Sequence, residues 1–536
     1  MPTAVSYPGV YVEEIPSGVR TLTGVATSVT AFLGKAVRGP VNEAVTLTSF
    51  ADFERVFGGL NRDITLGYAV RDFFANGGSR AVVVRLYKKP AAAAARASYK
   101  VTDLALEAAS EGAWGAQLRA RVDKKPPIDP NLVAVAARLG VAPADVFDLT
   151  VRDGGTKAVE TFLNLTTKDS ARRADRVLAA ESRLVRVSAS LTFPATATPG
   201  AHGGTLVDAD LWTADTKSTP AEAAPASTVA ADSDALVAAD YKGSASAKTG
   251  LYALEQTDLF NLLCITSDVR GGDVPDDVYS DALDYCVKRR AVLLVDPKAA
   301  WRDPAAALSG VAGMNLTGDR ARNAAVYFPR VQRGDPLLDG QIEVFAPSGM
   351  VAGVLARTDA QRGVWKAPAG TDASLNGVAG LQVDLTDAES GLLNPLGINC
   401  LRTFPVFGRV VWGARTLRGA DAAADEYKYL PVRRTALYLE ESLYRGLKWV
   451  VFEPNDEPLW SQIRLNVGAF MHDLFRQGAF QGRTPRDAYL VKCDKETTTQ
   501  NDINLGIVNV LVGFAPLKPA EFVILRLQQL AGQVQT

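Results

Sequence analysis

Three short runs constrain this chain more than anything else in it: RAVVVRLY (80–87), LFNLLCITSD (259–268) and AVLLVDP (291–297). Each is apolar at almost every position rather than at alternate ones, the pattern of a strand covered on both faces. A strand of that kind needs helices above and below it, and the neighbouring sequence offers them. In VTLTSFADFERVFGG, Ser49 or Thr48 can serve as N-cap, Phe53, Val56 and Phe57 form an apolar stripe, and Gly58-Gly59 stops the helix. LGYAVRDFFANGG repeats the device with Tyr68, Val70, Phe73 and Phe74, stopped at Gly77-Gly78. DVYSDALDYCVKRR adds a helix between the second and third runs, and GVATSVTAFLGKAVRGP a strand that ends at Gly34. Strands and helices at this spacing predict an α/β (α+β) layer fold.

The first run is separated from the other two by sequence of a different kind. From KKPAAAAARAS onward the chain turns rich in Ala, Pro, Thr and Ser, notably in LTFPATATPGAHGG and STPAEAAPASTVAADSDA. Within that stretch GAWGAQLRARV and VFDLTVRDGGTKAVETFLNLT still read as strands, with a turn at Asp153-Gly154-Gly155. The expected organisation is a discontinuous α/β core domain (23–90 plus 250–395) and an inserted, mostly-β outer domain (91–249), pliable from about 190 to 248. A C-terminal α/β domain (396–515) follows. In it, YLPVRRTALYLEESLYRGLKW places Val432, Ala436, Leu439, Leu443 and Leu447 on one helical face, and WVVFEPND reads as a strand. Asn455 or Asp456 can cap a helix with Pro458 in its first turn and Trp460, Ile463, Val467, Phe470, Met471 and Leu474 as its apolar face. AYLVKCD, GIVNVLVGFAP and EFVILRLQQL read as strands.

Both ends of the chain pose the same problem. PGVYVEEIP contains a strand of Val10, Tyr11, Val12, Glu13, Glu14 and Ile15 with no turn signal to fold it back as a hairpin. The last segment, with Phe522, Val523, Ile524, Leu525 and Leu527, is its counterpart. Strand backbone needs partners for its N–H and C=O groups. The residues 1–22 and 516–536 therefore read as arms at the margin of the folded body.

The inventory for chemistry is thin. Lys+Arg number 58 against 59 Asp+Glu, a net charge of −1 that gives no support for nucleic-acid binding and permits self-association. Cys264, Cys286, Cys400 and Cys493 form no C-x-x-C pair, which suits a reducing compartment rather than a disulfide scaffold or zinc site. The N-terminus has no secretory pattern, and no apolar run reaches the ~18–20 residues of a membrane span. Of two histidines, His202 lies in GAHGG and His472 on a helix, where a solvent-facing role outweighs that of a general base. Asp456 and Glu457 suit a helix N-terminus better than a catalytic pair. DGGTK and NGGSR read as turns rather than phosphate cradles, and no nucleophile elbow, zincin or P-loop motif occurs. No enzyme, cofactor or metal is expected. Between Glu426 and Lys448 five basic residues (Lys428, Arg433, Arg434, Arg445, Lys448) face three acidic ones, either a solvated helix face or a strip that meets an acidic protein surface.

PGVYVEEIPSGVRTLTGVATSVTAFLGKAVRGP, GAWGAQLRARV, ETFLNLT and GINCLRTFPVFGRVVWGARTL together resemble contractile tail sheath proteins. So, more specifically, do YLPVRRTALYLEESLYRGLKWVVFEPNDEPLWSQIR, FRQGAFQGRTPRDAYLVKCD and NDINLGIVNVLVGFAPLKPAEFVILRLQQ. The likeness runs over about 1–90 and 250–536 and does not extend to 187–248. It implies a homo-oligomer of stacked hexameric rings around an inner tube protein, joined to baseplate and terminal cap proteins. It implies assembly in the bacterial cytoplasm, as part of a phage tail, an R-type pyocin or a phage-tail-like extracellular injection system, and no membrane insertion. Type VI secretion sheaths are split into two chains and fit this single chain less well. The resemblance also implies that both arms leave their subunit and add strands to neighbours' C-terminal sheets. Gly18 and Gly24 at one end, and APLKPAE at the other, are then expected to act as flexible joins. Arg433, Arg434, Arg445 and Lys448 become candidates to face the tube. The alternatives are a non-contractile lattice or surface-layer protein, or an enzyme using Asp456, Glu457 or His472.

Overall fold

The three apolar runs stand in one eight-stranded sheet in a computed structural model that describes residues 22–91, 94–101, 104–188, 219–220 and 230–526. Its strands are β1 (Thr30–Lys35), β2 (Ala44–Leu47), β3 (Ala81–Leu86), β4 (Leu262–Ile265), β5 (Val292–Val295), β6 (Ala324–Phe328), β7 (Ile398–Phe404) and β8 (Gly408–Val411), in the order β8-β7-β6-β5-β4-β1-β3-β2. The interior pairs are parallel, with Phe32 opposite both Val83 and Cys264, while β2 and β8 close the two edges antiparallel. The sheet therefore takes strands from both sides of the compositional break.

Alternation along these apolar strands builds two cores. Ala31, Leu33, Val82, Val84, Leu263, Ile265, Leu293 and Val295 face one side, and Phe32, Val83, Leu262, Cys264, Val292 and Leu294 the other. Helices cover both faces: α1 (Phe50–Phe57), α2 (Leu66–Ala75), α3 (Asp276–Lys288) and α4 (Ser348–Arg362) among them. Ser49 caps α1 by accepting from the Asp52 N–H at 3.2 Å, and Gly58 ends it at φ +91°. Helix α4 has no sequence-based counterpart above. It is buried on all sides of its first turns, so it carries no amphipathic period to read. Two glycines let it lie against α2: a methyl group at Gly349 would strike the carbonyl of Ala69, and one at Gly353 that of Phe73.

The region between β3 and β4 has its own apolar cluster, including Leu106, Leu118, Val122, Phe147, Leu149, Leu165 and Val185. Strands 118–123, 146–153 and 159–166 form one sheet, and 98–101, 104–108 and 185–187 are the core of another. It is fastened to the main sheet through arginines. Arg38 pairs with Asp153 at 3.1 Å, and the fully buried Arg85 donates to the carbonyls of Ala36, Val37, Gly39 and Glu111.

Beyond β8 come α5 (Leu430–Gly446), α6 (Glu457–Arg476), β9 (Tyr489–Lys492) and β10 (Leu511–Phe514). One strand expectation fails here. WVVFEPND is a 3-10 turn (Lys448–Val450) and a bend in which Phe452 has φ +72° and is fully exposed. The Leu447 N–H donates to Leu443 and the Val450 N–H to Leu447, so this backbone closes the end of α5 instead of joining a ladder. Residues 521–526 are not in a strand within this single chain, and the partner expected for them is a neighbouring copy. Leu527 and the stretch 189–218 lie outside the described residues.

Candidate intersubunit surface

Helix α5 joins two bodies. Pro431 sits in its first turn, where a missing N–H costs nothing. Leu430 and Leu437 enter the main core, whereas Leu439 meets Leu459, Trp460, Ile463, Val467, Phe470, Met471 and Leu474 of α6. Its basic residues serve that junction. Arg434 is buried, paired with Asp359 at 2.6 and 2.8 Å, and donates to the Thr27 carbonyl at 3.0 Å. Arg434 is thus corrected as a tube-facing candidate, since its charge is consumed inside the chain. Arg433 donates to Asn323 at 3.1 Å and stacks over Tyr427, and Arg445 pairs with Glu441 and Asp258 at 2.6 Å each. Lys448 is exposed and lies over the Tyr444 ring at 5.5 Å. The four do not form one free basic strip.

β9 and β10 pair antiparallel, Tyr489 opposite Phe514 and Lys492 opposite Leu511, and rest their half-buried Tyr489, Val491, Val512 and Phe514 on the α6 cluster. Among the described residues no third strand joins this pair. A two-stranded sheet is marginal in water, and its outer edges offer unpaired backbone groups. Beside it runs a groove lined by Leu443, Tyr444, Leu447, Val451, Val510 and Val512 together with the charged Arg290, Glu440 and Lys448.

The two chain ends leave the body close to these elements, and neither leaves as a loose joint. Leu22 is buried against Gly446, and the Val25 N–H donates to Ser442 Oγ at 3.2 Å. Gly24, expected as a flexible join, is instead a close approach: any β-carbon there would overlap the Tyr438 hydroxyl. Gly18 and the strand residues Val10, Tyr11, Val12, Glu13 and Ile15 lie outside the described residues. At the other end APLKPAE is held at its last residue. Glu521 accepts from Arg415 Nε at 2.8 Å and Nη2 at 2.5 Å, and from the Tyr429 hydroxyl at 3.3 Å. Immediately beyond it Phe522, Val523, Ile524 and Leu525 are 73–83 % exposed.

The groups considered for chemistry have structural partners. Asp456 caps α6 through the Leu459 N–H, Glu457 pairs with Arg464 at 2.6 Å, and Asn455 accepts from the Trp460 indole at 2.8 Å. His472 is exposed beside the Tyr489 hydroxyl, and all four cysteines are buried. DGGTK closes the 146–153/159–166 hairpin, with Asp153 accepting from the Gly155 N–H at 2.9 Å, and Gly77-Gly78 follows the end of α2. Among the described residues no cluster of His, Cys, Asp and Glu is arranged to hold a metal ion, and no helix is long and apolar enough to cross a membrane.

Comparison with known proteins gives these surfaces a context. A family model described as the phage tail sheath protein central domain matches residues 288–417, and the phage tail sheath C-terminal domain matches residues 423–529. The tail sheath protein of Vibrio phage KVP40 is 27% identical over 179 residues, 33% of this chain and 25% of that protein. The tail sheath protein of Burkholderia phage BcepMu is 27% identical over 278 residues, 49% of this chain and 56% of that protein. The matched stretch thus spans between a quarter and just over half of these relatives. Among solved structures, an extracellular contractile injection system PVC sheath complex in the contracted state shares the fold over 99% of both chains, at 22% identity and TM-score 0.56. The sheath tail protein of Listeria innocua does so over 92% of this chain and 96% of its own, at 14% identity and TM-score 0.58. Both sheath-domain models match in order, over residues 288–417 and 423–529, and the α/β fold is shared nearly end to end with solved sheath structures, so the chain is similar to phage tail sheath proteins.

Proposed function

We propose that this chain is the repeating subunit of a contractile sheath, assembled in the bacterial cytoplasm as stacked hexameric rings around an inner tube between baseplate and cap proteins. In this reading the arms 1–22 and 516–536 are lent to neighbouring copies, whose β9–β10 pair they extend into a larger sheet. The core (23–90 plus 250–395) sits outside that mesh, the insertion (91–249) faces outward, and 396–515 faces the tube. The observation that carries the reading is the coincidence, among the described residues, of a two-stranded sheet without a third strand and an exposed apolar segment, Phe522–Leu525, without a ladder.

The groove beside β10 supports the same reading. Its apolar lining, with Arg290, Glu440 and Lys448 as its charged groups, suits a VYVEEI strand that carries Val10 and Val12 on one face and Tyr11 and Ile15 on the other. An arm that makes about five backbone bonds at ~1 kcal/mol net each is held firmly enough to link rings, before side-chain burial is counted. The shift from an extended to a contracted lattice would then draw on better contacts between copies. Arg433, Arg445 and Lys448 remain the proposed tube-facing residues; Lys448 is the exposed one of the three, and an exposed charge worth ~0–1 kcal/mol releases readily. Electron microscopy of the purified protein tests the proposal: ring-striated tubes are expected. Flat sheets would favour a non-contractile lattice, and dispersed monomers at high concentration would overturn assembly.

A further inference from the structure

The C-terminal segment is a strap fixed at two points. Pro516 is bridged to Phe480 beside β9, and five residues later Glu521 is locked onto Arg415. Between the strap and the body lies a groove of about 1130 Å³ whose lining includes Trp365, Arg402 and Trp412, so the strap is not packed into a core along its length. Its far end depends on one side chain. The Arg415 side chain has no solvent exposure, and its remaining bonds run to the Asn394 and Gly419 carbonyls at 2.9 and 3.2 Å and to Asp421 at 3.0 Å. The guanidinium is therefore rigidly held, and it presents a preformed fork to the Glu521 carboxylate.

We infer that Arg415 and Glu521 form an anchoring latch: a positioning pair that sets where the C-terminal arm departs toward a second copy of this chain. The inference rests on the arm-lending reading above. Without the latch the arm is rooted at Pro516, which adds five residues, or up to about 17 Å of free chain, to what it must control. Added length alone lowers the effective concentration of the arm only slightly. The larger consequence concerns force. With the latch closed, tension on the arm passes through Arg415 into the loop after β8 and so into the eight-stranded sheet. With it open, the same tension falls on the β9–β10 pair.

Glu521→Ala separates this role from folding, because Glu521 belongs to no apolar cluster and Asp421 stays to balance Arg415. Losing a bidentate charge-assisted pair should lower the latched population roughly tenfold or more. A nitroxide on Val523→Cys reports this, since the four native cysteines are buried and leave the introduced one to react. In the Glu521→Ala background its mobility should rise, the melting temperature of the subunit should hold within a few degrees, and tubes should become short or broken. Glu521→Gln, which keeps the shape and one acceptor, should fall between. A deletion of residues 522–536 tests the arm itself. If that deletion abolishes tubes while Glu521→Ala leaves tube length and label mobility unchanged, the latch is overturned and the arm reading stands. If the deletion leaves tubes intact, both are overturned.

Discussion

Asp296 carries a carboxyl that makes this fold sensitive to pH. It follows β5, is buried, and accepts from the N–H and hydroxyl of Ser348 at 2.9 and 2.8 Å at the start of α4. Burial pushes its carboxyl up to about 6, against the opposing pull of the Ser348 bonds. The folded chain thus holds this proton more tightly than the unfolded chain does, so the stability linked to it is greatest below pH 4 and is lost as pH rises to about 6. Asp296→Asn should flatten that window and stabilise the subunit above pH 6 by up to about 3 kcal/mol. Thermal melts of both proteins at pH 5 and pH 7.5 check it: a wild-type decline that the variant shares would count against the assignment. Gly24→Ala should cost about 1–3 kcal/mol through overlap with the Tyr438 hydroxyl, and Tyr438→Phe in the same chain should recover most of the loss. Caps such as Ser49 and Asp456 were legible in the sequence because a cap is a local bond within three residues. Gly24 was not, because a glycine that allows freedom and one that allows close contact look alike until the facing side chain is known.

At the scale of elements, legibility followed the hydrophobic pattern. The both-face-buried strands, α1, α2, α3 and α6 are where apolar runs or stripes predict them; Ser49 and Gly58 bound α1, and Asp456 caps α6. Helix α4 escaped because burial all round erases its period, and because its Gly349 and Gly353 suggest a breaker rather than a contact surface. Gly349→Ala should lower the unfolding free energy by more than about 2 kcal/mol in denaturant titration, since the obstacle is the backbone of α2 rather than a movable side chain. WVVFEPND was misread for the converse reason. Its β-branched and aromatic residues suit a strand, yet Val451 and Phe452 project outward. Phe452→Ser should therefore leave the melt of the isolated subunit unchanged within about 0.5 kcal/mol. The basic residues of α5 were seen as a strip because sequence shows charge but not partners; Asp359, Asp258 and Asn323 come from distant segments.

The whole molecule combines an α/β centre with margins that, among the described residues, hold an open two-stranded sheet and an exposed apolar segment. The centre gathers two apolar cores on one sheet, and α5 ties the C-terminal body to it through buried charge as well as packing. The exposed segment, Phe522–Leu525, is anchored at its root by Glu521 on Arg415. The most direct measurement is cross-linking in assemblies grown from a mixture of light and isotopically heavy subunits carrying Val12→Cys and Leu511→Cys. If arms are lent between copies, the linked peptides join light to heavy chains as often as like to like. Links found only within one isotopic form would mean that each arm folds back on its own subunit, which would contradict the account.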